Sequence, residues 1–188
     1  MRKILLAKRM SPIWISAFAA LLLIINVSGV LADGLIVYGD TWAMTIAEPP
    51  GWIGDTEAGA SLGLNIVLYP EGSRWTDGNA YIYGMALAIK PADIKRQRKE
   101  DRRLNEEHFG KDIRWHDIDI QKPYSAGQVY AAAEMYAKSY EKMVWIGDEK
   151  SKGVALFVLN ARDGKRPNKN VLDAFEKVLK SVVLMQKM

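Results

Sequence analysis

The sequence predicts an α+β sandwich built on an antiparallel sheet, and three observations carry that prediction. Short β-type runs bounded by Gly, Pro, Asp and Asn recur along the chain. One of them, Ala80 to Lys90, is apolar on both of its alternating faces. A wide apolar stripe of helical spacing, Val171 to Val183, closes the chain. Strands, a polar helix, more strands and a final packed helix form an α+β order, unlike the strand-helix alternation of a parallel sheet.

Ahead of this order stands a leader. Arg2, Lys3, Lys8 and Arg9 precede the apolar stretch Ile13 to Val27, and SGVLA follows. A basic start, an apolar middle and a small-residue exit form the pattern of an export signal. Val30 and Ala32 stand where a signal peptidase reads, which makes residues 1–32 a signal peptide and residues 33–188 a single exported domain, periplasmic or extracellular. The competing reading is an uncleaved anchor, because Ile13 to Leu31 nearly suffices for a hydrocarbon layer of about 30 Å at about 1.5 Å per residue. Attachment through a lipidated cysteine is excluded, since the chain has no cysteine.

The leader also accounts for the basic balance. Four of the 26 Lys and Arg lie in it, so 22 remain against 22 Asp and Glu, and the domain is formally neutral. Binding of a phosphate backbone calls for a net basic footprint, so nucleic acid is not an expected partner. Without disulfides, stability must come from a core. A domain of this size buries about two thirds of its unfolded surface.

After the leader, GLIVYGDTWAMTIAEPPGW contains two β-type runs split by Gly39 and Asp40 and stopped by Pro49 and Pro50, which cannot donate to a ladder. A third run, SLGLNIVLYP, ends at Pro70. Glu71, Gly72, Asp77, Gly78 and Asn79 are turn formers that let this run pair with the next in a hairpin. In that next strand Tyr81, Tyr83, Met85, Leu87 and Ile89 form a large face. Ala80, Ile82, Gly84, Ala86 and Ala88 form a small one that invites a helix. Both faces being apolar places the strand inside a covered sheet.

PADIKRQRKEDRRLNEEHFG reads as a surface helix with Asp93 as N-cap, Gly110 as stop and Ile94, Leu104 and Phe109 as its thin apolar contact. Four further β-type segments follow near Ile113 to Ile120, Gln128 to Ala137, Tyr140 to Ile146 and Val154 to Ala161, an antiparallel meander by its turns. In the closing helix Asn170 and Asp173 resemble a capping box, and Val171, Leu172, Phe175, Val178, Leu179, Val182 and Val183 form the packed stripe.

Chemistry-bearing residues are sparse. His108 and His116 lie near Asp112, Asp117 and Asp119 in sequence, and such types bind transition metals. Strand alternation points His116 away from Asp117 and Asp119, so no metal ligand set is assigned. Asp117 and Asp119 share a face, but an exposed strand end explains them without catalysis. Ser73 lacks the flanking glycines of a nucleophile elbow, and no phosphate-cradling loop appears. No cofactor and no catalytic residue are expected. The run Lys95 to Arg103 is interrupted by Glu100 and Asp101, which reads as a solvated helix before it reads as a docking surface.

Aromatics are the remaining signal. Trp42, Trp52, Trp75, Trp115 and Trp145 follow the leader, and Trp52 and Trp75 fall in loops. With Arg74 they make a candidate partner-binding patch, because Trp and Arg anchor interfaces. Each Trp also has the alternative of folding back over the core.

The succession WAMTIAEPPGW, YPEGSRWTDGNAYIY, a mid-chain helix, YEKMVWIG with GVALFVLNAR, and LDAFEKVLKSV resembles the PsbP-like family. That family includes an extrinsic photosystem II subunit, a nuclear-import factor that binds the Ran GTPase, and exported bacterial proteins of unknown role. The resemblance implies a three-layer α/β/α sandwich and a non-enzymatic binding or accessory protein. The resulting expectation is an exported, non-enzymatic protein that presents Trp52, Arg74 and Trp75 to a protein or cell-envelope partner. The membrane is expected as a partner only if the leader stays uncleaved. Two alternatives stand beside it: a small metal-dependent or carboxylate-based hydrolase using His116 with Asp117 or Asp119, and a membrane-tethered interaction domain.

Overall fold

The computed structural model describes residues 34–38, 42–120 and 124–186. The leader, and with it the signal-peptide and anchor readings, lies outside the described residues. The fold is α+β with antiparallel sheets. β1 (Gly34–Tyr38) and β2 (Trp42–Ala47) join β10 (Val183–Gln186) in a three-stranded sheet of order β1-β2-β10. The remaining strands are β3 (Trp52–Asp55), β4 (Ile66–Pro70), β5 (Ala80–Ala86), β6 (Arg114–Ile118), β7 (Gln128–Tyr136), β8 (Tyr140–Asp148) and β9 (Val154–Ala161). They form a seven-stranded sheet of order β3-β4-β5-β9-β8-β7-β6.

Three α-helices are described, two of which form the outer layers. α1 (Thr56–Ser61) is a single short turn region, α2 (Ile94–Phe109) covers one face of the main sheet, and α3 (Lys169–Ser181) covers the other. Under α2, Ile94 packs with Ala131, Ala133, Met143, Trp145 and Val158. On the opposite face a larger core joins Ile66, Leu68, Ile82, Val144, Phe157 and Leu159 to Phe175, Val178 and Leu179 of α3. Val37, Met44, Ile46 and Leu184 of the small sheet enter that same core. The outer layer on the α3 side is therefore mixed helix and sheet. This refines the expected α/β/α layering, because two N-terminal strands pair with the tail of the chain instead of with the main sheet.

β5 has β4 and β9 as hydrogen-bonded neighbours, as its two apolar faces require. It ends at Ala86, earlier than Lys90. There Asn65 Oδ1 accepts from the Ala86 amide at 2.6 Å, and the Leu87 amide reaches Val154 O at 2.8 Å. The small face, with Ala80 and Ile82, joins the core on the side of α3. A Cβ on Gly84 would lie 2.8 Å from Phe157 Cε1, so the missing side chain makes room for a ring from β9.

Three elements carry no sequence signal that periodicity can register. β3 has four residues, α1 has six, and β10 occupies the run read as helical through Val183. α1 exists because Asp55 accepts from the Ala58 amide at 2.7 Å, while Gly59 lies against the Ile66 backbone, where a Cβ would come within 2.8 Å. Gly110, at φ +74°, ends α2 as expected. Asp93 makes no side-chain cap and pairs instead with Arg96 at 3.2 Å. Leu104, expected as an apolar contact, is 48% exposed. The cap of α3 is Asn168, whose side chain accepts from the Val171 amide at 3.1 Å, and not the Asn170 and Asp173 pair.

Every described strand and helix, and both cores, lie within the compact unit Asp33–Met188. Among the described residues no helix is long and apolar enough to cross a membrane.

Candidate functional site

Trp52 opens β3 directly after the turn Pro49-Pro50-Gly51. The turn is closed by the Trp52 amide on Pro49 O at 3.0 Å and by the Glu71 amide on Gly51 O at 2.8 Å. Gly51 takes φ +74°, a conformation that suits glycine. The indole is half-buried, packed on the α3-side core. It also lines an open cleft of about 460 Å³ with Pro49, Pro50, Pro70 and the first turns of α3, where Asn168 and Lys177 supply polar edges. Three proline rings and an indole, held by a ladder in which Trp52 faces Pro70, make a stiff apolar wall.

Arg74 and Trp75 sit on the loop that leaves Pro70 and enters β5, at the same end of the main sheet as Trp52. This loop is built as a turn. Ser73 Oγ donates to Pro70 O at 2.6 Å, Asp77 Oδ1 accepts from the Arg74 amide at 3.0 Å, and the Gly78 amide reaches Arg74 O at 2.9 Å. Arg162 pins it from the turn that follows β9, donating from Nη2 to Trp75 O at 2.5 Å and lying over the Tyr81 ring at 5.2 Å. Trp75 is half-buried and Arg74 is exposed. Trp52 turns toward the α3 side, whereas Arg162 holds the Trp75 carbonyl beside Tyr81, which points to the α2 side with Tyr83. The three residues share an end of the sheet.

A second polar assembly lies under α2, where the sequence showed only a thin apolar stripe. The inner positions of the helix are Ile94, Gln97, Arg98, Asp101, Asn105 and Phe109. Asp101 accepts from Gln97 Nε2 at 2.8 Å and from Trp145 Nε1 at 3.1 Å. Burial pushes its carboxyl above the usual range, against those two hydrogen bonds. Arg98 pairs with Asp117 at 3.3 Å and reaches Ala132 O at 3.4 Å. Trp115 Nε1 donates to Asp117 at 2.9 Å. The only sequence signal for this layer was the i, i+4 spacing of Gln97, Asp101 and Asn105.

The α3 side of the same strands carries another network. Glu134 accepts from Tyr140 at 2.9 Å and from Tyr136 at 3.1 Å, and Arg166 approaches it at 3.6 Å. Lys142 and Tyr124 both engage Glu176 of α3, at 2.8 Å and 3.0 Å. Burial, reinforced by the Glu134 bond, pushes the Tyr140 hydroxyl far above its ordinary range. Glu141, on the α2 side, is raised by burial despite accepting from Asn160 at 2.9 Å.

These placements separate the residues of the hydrolase alternative. His116 lies edge-on to Tyr136 on the α3 side, while Asp117 is bound to Arg98 and Trp115 on the α2 side, and Asp119 lies beyond the end of β6. A general base and its proton-transfer partner must come within hydrogen-bond reach. His116 and Asp117 project to opposite faces of one strand and do not.

No protein-family model and no curated protein matches the sequence. Among solved structures, the chain is similar to cyanobacterial PsbP (CyanoP) from Synechocystis sp. PCC 6803, with 18% identity over 83% of this chain and 95% of that one and a TM-score of 0.46. It is also similar to a point mutant of the protein Mog1, with 12% identity over 82% and 97% and a TM-score of 0.48. A third is the Ran-binding protein Mog1p of Saccharomyces cerevisiae, with 12% identity over 81% and 95% and a TM-score of 0.47.

Proposed function

We propose that this chain is an exported, non-enzymatic binding or accessory protein, a single domain from Asp33 onward, that engages a protein partner of the cell envelope at the Trp52 end of its main sheet. The observation that carries the reading is the Trp52 cleft. A half-buried indole beside three prolines is a preorganised apolar socket, and it loses little conformational freedom when a partner side chain enters. Arg74 stands exposed on a hydrogen-bonded loop at the same end and extends the contact surface with a cation suited to carboxylates. The buried acids support a non-catalytic role, since Asp101, Glu134 and Glu141 are each occupied in bonds that hold one element to another.

The test places a photo-crosslinking residue at Arg74 and, as a control, at Lys95 on α2, in cells making the full chain. The expected result is a discrete protein adduct from position 74 that disappears with Trp52→Ala and persists with Trp52→Phe, which keeps a ring against the core. Equal labelling from both positions, or an adduct indifferent to Trp52→Ala, overturns the proposal. The export reading is tested separately by the N-terminal residue of the product, expected to be Asp33.

A further inference from the structure

We propose that the outward face of the three-stranded sheet, with the cation-rimmed cleft beside it, docks on an anionic lipid bilayer. In β1, β2 and β10 the residues Val37, Met44, Ile46 and Leu184 point into the core. The alternate positions point out. In register, Ile36 stands opposite Thr45 and Thr45 opposite Val183; Tyr38 stands opposite Ala43 and Ala43 opposite Met185. The exposed face of an antiparallel sheet is ordinarily polar. Here no outward position is charged, and Ile36 is 49%, Tyr38 63%, Val183 51% and Met185 38% exposed. These are half of the large apolar side chains found exposed among the described residues.

Tyr38 also belongs to a cleft of about 630 Å³, whose walls include Trp42, Leu87 and Ile89. Its rim holds Lys90, Arg96 and Lys152 against one carboxylate, Asp93. Arg96 and Lys152 are largely exposed and pair at 3.2 Å with Asp93 and Glu149, each three residues away. Such exposed pairs are weak, so these cations remain able to meet phosphates. The cleft floor is stiff, because Trp42 lies on Gly153 where a Cβ would come within 2.7 Å.

Three observations select a bilayer over a soluble protein or a second copy. The excess of cations at the rim complements anionic headgroups. Tyr38 joins the apolar face to the cationic rim, the position aromatic side chains take at a membrane interface. Only Ala32 and Asp33 separate the start of β1 from the apolar stretch Ile13 to Leu31, so in the chain this sheet follows directly on the apolar leader read above as an export signal. The folded domain itself makes the contact, independently of the Trp52 cleft. The cleft here lies beyond the Ala86 end of β5, and the Trp52 cleft lies at the Ala80 end.

Residues 33–188 are mixed with phosphatidylcholine vesicles, with and without phosphatidylglycerol, and sedimented. Binding at least about tenfold stronger to the anionic vesicles is expected, with a loss of about fivefold for each of Lys90→Gln, Arg96→Gln and Lys152→Gln, and weakening by salt. Ile36→Ser with Val183→Ser is expected to abolish sedimentation while retaining a cooperative thermal transition. Lys95→Gln, on the outer side of α2, serves as the control and leaves binding unchanged. Failure of the folded protein to bind anionic vesicles, or equal binding to both vesicle types, overturns the proposal. So does a lipid-free dimer that Ile36→Ser with Val183→Ser disperses, because the face then belongs to a second copy.

Discussion

The indole N–H of Trp145 donates to the carboxylate of Asp101 at 3.1 Å, tying the middle of α2 to the centre of β8. The helix has little grease on its inner side, so this bond and its neighbours hold it in place. Asp101→Leu leaves both the Trp145 and the Gln97 donors without their acceptor, and a buried unpaired donor costs about 1–3 kcal/mol. Asp101→Asn keeps an acceptor for Trp145, and Gln97 restores the second bond by turning its amide. Urea unfolding should therefore rank Asp101→Leu well below Asp101→Asn; equal losses would remove the bond from its place in helix docking.

Protonation acts on the same bond. Burial raises Asp101 and Glu141 above their ordinary values, so the folded chain holds these protons more tightly than the unfolded chain. Their contribution is fully present below the ordinary carboxylate range, about pH 4, and is lost as pH rises through the raised values. Asp101→Asn with Glu141→Gln removes it. Unfolding free energies measured from acid to neutral pH should show the variant gaining on the native protein as pH rises. Parallel profiles would refute the burial effect.

Gly84 supports the α3-side core by having no side chain. Gly84→Ala places a methyl 2.8 Å from Phe157 Cε1 and 3.1 Å from Ile66 Cγ2, an overpacking expected to cost about 1–3 kcal/mol. Adding Phe157→Leu should recover part of that loss. A melting temperature unmoved by Gly84→Ala would contradict the close approach.

The start of α3 distinguishes two neighbouring asparagines. Asn168→Ala removes the bond to the Val171 amide, at a cost of about 1 kcal/mol for a lost N-cap. Asn170→Ala touches no cap and should shift the thermal midpoint far less. The reverse ranking would place the helix start two residues later.

The α+β class, the interior position of β5, the meander from β6 to β9 and the stop at Gly110 were legible in the sequence, because each is written in local terms of alternation, helical spacing or a residue that only a turn accepts. Arg74 and Trp75 were legible as loop residues, whereas Trp52, read as a loop residue, opens β3 because its ladder partner Pro70 lies eighteen residues on. That Arg162 pins the loop depends on which strands lie side by side. The polar layer under α2 was hidden because Asp101 and Arg98 look like surface charges until Trp145 and Asp117 are brought to them from β8 and β6. β10 was hidden because Val183 continues a helical stripe in sequence, and only the open edge of β2 draws it into a strand. Periodicity records the preference of a segment for one buried face; the partner that covers the face is chosen by residues far away along the chain, where local patterns have no reach.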